Sequence, residues 1–118
     1  MRPLALALLL AAPAGSALAH AQLVKADPRV GSTVAAEPAQ LWLRFNEVPR
    51  LNASGVQLTG PDGKPTVLGP LAKDAKDPRA FTAPLPRLGR GRYQVHWKVL
   101  SPDGHRTEGR FAFNVGGR

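Results

Sequence analysis

The chain has 118 residues, with 16 Lys and Arg against 8 Asp and Glu, a net charge of +8 and no cysteine. The missing cysteines exclude disulfide staples, thiolate metal ligands and a thiol nucleophile, so a domain of this size has to be held by packing alone. A basic balance can suit nucleic acid or an anionic membrane surface. Here the arginines, among them Arg79, Arg87, Arg90, Arg92 and Arg110, are scattered with no aromatic ladder between them, and nucleic acid is set aside.

The first element in chain order reads as an export signal. Arg2 gives a positive start, Leu4 to Ala12 is an apolar run, Pro13 and Gly15 break it, and Ala17-Leu18-Ala19 has the small-x-small form that signal peptidase reads. The run is too short to span a bilayer, which takes about 20 residues, and no later segment is apolar enough to do so. Cleavage after Ala19 is expected. It leaves 99 residues, His20 to Arg118, as one domain, and removes Met1, the only methionine, together with Arg2, so the net charge becomes 15 − 8 = +7.

The remainder reads as strands and turns. Leu41, Leu43 and Phe45 alternate onto one face, and Val56 and Leu58 continue the pattern up to a turn at Gly60-Pro61-Asp62-Gly63. Pro70 to Pro86, with four prolines, suits a loop and an edge strand rather than a helix. Tyr93, Val95, Trp97 and Val99 share one face of the clearest strand, opposite Gln94, His96 and Lys98. A last strand over Arg110–Val115 turns Phe111, Phe113 and Val115 inward. Trp42 and Trp97 are expected in or near the core, and His96 as a surface or half-buried strand residue. With 12 Pro and 12 Gly punctuating short strands, the expected fold is an all-β sandwich.

Three histidines are candidates for chemistry: His20, His96 and His105. After the expected cleavage His20 carries a free α-amine, whose reference pKa near 8 lets a divalent ion displace its proton at neutral pH, so amine and imidazole can chelate together. Asp103-Gly104-His105 is a second donor pair, since residues two apart project to the same side of an extended chain. An Asp-Gly hairpin turn followed by a solvent-facing His reads the same residues equally well.

Several blocks resemble the CopC copper-resistance proteins. They are His20-Ala21-Gln22-Leu23-Val24-Lys25-Ala26-Asp27-Pro28, Leu43-Arg44-Phe45-Asn46-Glu47, Gly91 to His105 with its Tyr93-Gln94-Val95-His96-Trp97 core and Ser101-Pro102-Asp103-Gly104-His105 end, and Gly109 to Val115. The resemblance covers the whole expected mature chain. It implies a periplasmic Cu(II)-binding protein with a cupredoxin-like, Ig-like Greek-key sandwich of about seven strands. It also implies a single Cu(II) held by the His20 amine and imidazole, the His105 imidazole and an Asp103 oxygen, with Glu47 as an outer ligand or hydrogen-bond partner. The family's role as a copper carrier, chaperone or sequestering protein in homeostasis and resistance comes with it, as does an inner-membrane CopD-type transporter as partner. A monomer without catalytic activity is expected.

Donor chemistry agrees with that metal. Nitrogen ligands with one carboxylate in a tetragonal arrangement suit Cu(II), whereas Zn(II) prefers a tetrahedron. The simpler N-terminal copper chelate needs His at the third mature position, which is Gln22, so the amine must recruit Asp103 and His105. Some CopC proteins carry a Met-rich loop that binds Cu(I). The corresponding stretch here, Thr59 to Lys76, has no methionine, which excludes a soft thioether Cu(I) site of that kind. Two other classes remain open: a histidine-brace copper oxidative enzyme of the lytic monooxygenase type, and a metal-free interaction module.

Overall fold

The alternating segments form strands and close into two packed sheets. The computed structural model describes residues 21–116; the expected cleavage site after Ala19 and His20 itself lie outside the described residues. In chain order the strands are β1 Leu23–Asp27, β2 Thr33–Val34, β3 Gln40–Phe45, β4 Gly55–Thr59, β5 Pro65–Leu68, β6 Ala72–Lys73, β7 Ala80–Pro84, β8 Gly91–Leu100 and β9 Arg106–Val115. One 3-10 turn, Leu51–Ala53, separates β3 from β4. Seven of the strands have four residues or more; β2 and β6 have two each. The expected all-β sandwich is what forms. Among the described residues no helix is long and apolar enough to cross a membrane.

One sheet has the order β1-β3-β7-β6 and the other β2-β9-β8-β4-β5. All pairings are antiparallel except β2 with β9. Their inner faces meet through the side chains whose period-two spacing marks them in the sequence: Leu41, Leu43 and Phe45 from β3, Val95, Trp97 and Val99 from β8, Phe111 and Phe113 from β9. Phe45 ties the layers together. It stacks on Phe81 of β7 at 5.7 Å between ring centroids and meets Trp97 of the facing sheet edge-on at 5.1 Å. Such offset and T-shaped pairs follow the ring quadrupole.

Two details differ from the sequence reading and one extends it, each for a local reason. Trp42 is half-buried on the outer face, because it alternates with Leu41 and Leu43, and its indole N–H donates to Asp74 Oδ1 at 3.1 Å. Pro70 to Pro86 holds the expected loop and edge strand, β6, and adds an inner strand, β7, whose far side β6 partly covers. β9 begins at Arg106, four residues before the apolar alternation starts. At Gly109, paired with Trp97, the inward position is left empty: a Cβ there would stand 2.5 Å from Trp97 Cζ2. The glycine makes room for the indole and hides the strand's period.

Candidate metal centre

β8 and β9 form one long hairpin, with Leu100 paired to Arg106, and the five-residue loop Ser101–His105 closes it at one pole of the sandwich. Ser101 is fully buried and organises the loop. Its backbone N–H donates to the His105 carbonyl at 2.8 Å, and its hydroxyl donates to Asp103 Oδ1. The His105 N–H also donates to Asp103 Oδ1, at 3.3 Å, and the Gly104 N–H closes onto the Ser101 carbonyl at 3.0 Å. Gly104 has φ +92°, which an L side chain rarely adopts, so this turn depends on glycine.

With one carboxylate oxygen committed to the loop, the other faces the histidine: Asp103 Oδ2 lies 3.1 Å from His105 Nδ1. Both side chains are open to solvent, 40% and 57% exposed. The Ser101 hydroxyl, with the His105 contacts behind it, holds the Asp103 carboxyl down at a pKa of about 2. A hydrogen-bonded carboxylate is therefore kept ionised beside an imidazole. That contact is an ion pair, and it holds the Asp103 carboxylate and the His105 imidazole side by side at the loop. The pair does arise, but from a side-chain-locked turn and not from strand alternation. The hairpin-turn reading of Asp103-Gly104-His105 describes the loop, and the two side chains meet within it.

The start of the described chain is fastened to the same pole. Ala21 is fully buried and its carbonyl accepts a hydrogen bond from Thr107 Oγ1 at 2.7 Å, two residues past His105. The next residue is gripped from the other sheet: the Gln22 N–H donates to Asn46 Oδ1 at 2.8 Å, and the Asn46 N–H donates back to the Gln22 carbonyl at 3.0 Å. Glu47, half-buried, follows Asn46 directly. Glu47 does not form a three-residue group with Asp103 and His105, and among the described residues no three His, Asp or Glu come together in that way. His96 stands apart on the outer face of the β8–β9 hairpin. Its Nε2 lies 2.7 Å from Glu108 Oε1, and this hydrogen bond lowers the Glu108 carboxyl pKa.

The sequence reading takes Ser101 only as part of a turn at a strand end and does not single out Thr107 and Asn46; these three do the fastening. The signal was present in part. A Ser two residues before an Asp is a common way of bracing a turn, and Thr107 is a polar residue at an inward position of the hairpin.

Comparison with known proteins places this geometry. The family model described as the CopC domain matches residues 23–116. Protein YobA of Escherichia coli (strain K12) is 36% identical over 101 residues, covering 85% of this chain and 82% of the relative. The crystal structure of CopC from Methylosinus trichosporium OB3b superposes with a TM-score of 0.74 at 35% identity, covering 82% of this chain and 94% of that one. PcoC, a methionine-rich copper resistance protein from Escherichia coli, superposes with a TM-score of 0.70 at 32% identity, covering 82% and 99%. The sandwich, the braced Asp-Gly-His loop and these matches lead to one conclusion: the chain belongs to the CopC family.

Proposed function

We propose that this protein is a copper-binding protein of copper resistance and homeostasis that holds one Cu(II) at the hairpin pole and carries or sequesters it. The ligands are the His20 amine and imidazole, the His105 imidazole and an Asp103 oxygen. One observation carries the reading. The buried Ala21 carbonyl is pinned to Thr107, two residues past His105, so the start of the described chain is tied to the strand that His105 leads into.

The donor set explains the metal and its oxidation state. Imidazole, amine and carboxylate are the ligands of Cu(II), whereas Cu(I) selects thioethers. The only methionine of this chain is Met1, in contrast to the structural neighbour described as methionine-rich. Glu47 serves as an outer ligand or hydrogen-bond partner, because the Asn46–Gln22 clamp ties its segment to the chain start. Filling most equatorial positions with protein atoms makes tight binding, not turnover, the activity.

Signal cleavage after Ala19 then belongs to site assembly, since only the processed chain has the amine on His20. The protein works in the periplasm as a monomer and exchanges copper with an inner-membrane CopD-type transporter. Copper titration of the processed protein and two variants tests the ligand set. One Cu(II) per chain is expected, with Asp103→Ala and His105→Ala each weakening binding by at least about tenfold. Wild-type affinity in both variants would refute the assignment.

A further inference from the structure

Two guanidinium groups flank the hairpin pole, and among the described residues neither enters an ion pair. Arg50 lies just before the 3-10 turn and donates through Nη2 to the Pro102 carbonyl at 2.9 Å. Arg106, the first residue of β9, donates through Nη1 to the Ala53 carbonyl at 3.4 Å. Reaching in opposite directions, they clasp the 3-10 turn to the loop that carries Asp103 and His105. The backbone supports the clasp: the Arg50 N–H donates to the Leu100 carbonyl at 2.9 Å, and Ser54 Oγ donates to the Arg50 carbonyl at 2.7 Å.

Each guanidinium has five N–H donors and spends one on a carbonyl. Both side chains are exposed. The ion pairs of the described residues are Arg44–Asp77, His96–Glu108 and Asp103–His105, so neither Arg50 nor Arg106 meets a carboxylate. Asp103 on the loop is engaged by Ser101 and His105, and Glu108, two residues past Arg106, by His96. The site is therefore edged by two cations that make no ion pair among the described residues, on a chain whose net charge is +8, or +7 once Arg2 is removed with the expected signal.

That is a poor field for collecting a free dication and a good one for an anion. The planar fork of arginine matches a carboxylate with two parallel hydrogen bonds. Resting on the Cu(II) reading above, we propose that the site is loaded from an anionic carboxylate chelate of Cu(II), with Arg50 and Arg106 receiving the chelator's carboxylates while the protein ligands take the metal. The step is ligand exchange alone. The chelator leaves as its free anion, the proton displaced from the His20 amine passes to the chelator or to solvent, and copper passes as Cu(II) with no electron transferred.

Stopped-flow loading of the processed protein tests this, with Cu(II)–citrate as the anionic donor and a Cu(II)–ethylenediamine complex as the cationic one. Each is run at about 0.01 M and about 0.15 M salt, where charges are felt over about 30 Å and about 8 Å. Loading from citrate should be faster at low salt and slow about tenfold or more as salt rises, within the usual range of electrostatic steering. Loading from the cationic donor should speed up. The pair Arg50→Gln with Arg106→Gln should slow loading from citrate several-fold and flatten its salt dependence, and the pair Arg50→Lys with Arg106→Lys should keep that dependence. The same salt response for both donors in the wild type would overturn the proposal without any variant. So would wild-type citrate kinetics in the glutamine pair, or a lysine pair as flat as the glutamine pair. A wild-type protein that takes up no Cu(II) from any donor defeats the underlying site. One that binds Cu(II) one-to-one without donor discrimination defeats this inference alone.

Discussion

Thr107→Val removes a single hydroxyl and tests how the chain start is held. The Thr107 side chain gives its proton to the fully buried Ala21 carbonyl at 2.7 Å, and valine has the same shape without that donor. A typical hydrogen bond contributes about 1 kcal/mol net, and a buried carbonyl left unpaired costs about 1–3 kcal/mol. The chain start can escape the larger cost by fraying until the carbonyl finds water. Copper binding must then re-order that residue, at about 1–2 kcal/mol of backbone entropy. Cu(II) affinity should accordingly fall by about 5–30-fold. Competition titration against a chelator of known strength measures this, with a thermal melt of the metal-free protein alongside. A melting temperature that drops while copper affinity stays within twofold of wild type would refute the argument, because the contact would then serve the fold and not the site.

Three further outcomes follow from particular contacts. Ser101→Ala removes the leading cause of the low Asp103 pKa, so an NMR titration of that carboxyl should find it moved up from about 2 toward the ordinary aspartate range near 3.8. Because the folded pKa lies below the unfolded one, Asp103 contributes stability above about pH 3.8 that disappears as pH falls through about 2, and the variant should lose it at higher pH. Gly109→Ala drives a Cβ to within 2.5 Å of the Trp97 ring, whose edge is already held against Phe45. Overpacking of that kind costs about 1–3 kcal/mol and should lower the melting temperature by several degrees with the copper stoichiometry intact. His96→Ala should leave Cu(II) affinity within about twofold and raise the Glu108 pKa, since His96 contacts Glu108 and not the hairpin loop.

Much of this was legible in the sequence, and the rest was hidden for physical reasons. The faces of β3 and β8 and the apolar half of β9 follow from alternation, because one side of each strand must enter the core. The polar half of β9 did not read as strand. There Gly109 yields its place to the Trp97 indole and Thr107 trades an apolar contact for the Ala21 carbonyl. A single sequence displays neither exchange, since each depends on a partner across the hairpin or 86 residues away. Asp103 and His105 could be paired by spacing, yet the reason was a turn braced by the buried Ser101 rather than an extended segment. The Arg50–Arg106 clasp joins segments 52 and 53 residues apart and has no local signature at all.

In the proposed centre the freed His20 amine and the Asp103–His105 pair hold one Cu(II). Its most direct test is a Cu(II) titration, followed by electron paramagnetic resonance, of two forms of the protein: one beginning at His20, the other with a single glycine ahead of it. The form beginning at His20 should bind one Cu(II) tightly and give a tetragonal, nitrogen-rich spectrum, and the extended form should bind at least about a hundredfold more weakly with an altered spectrum. Equal one-to-one affinity and identical spectra for the two would contradict the account.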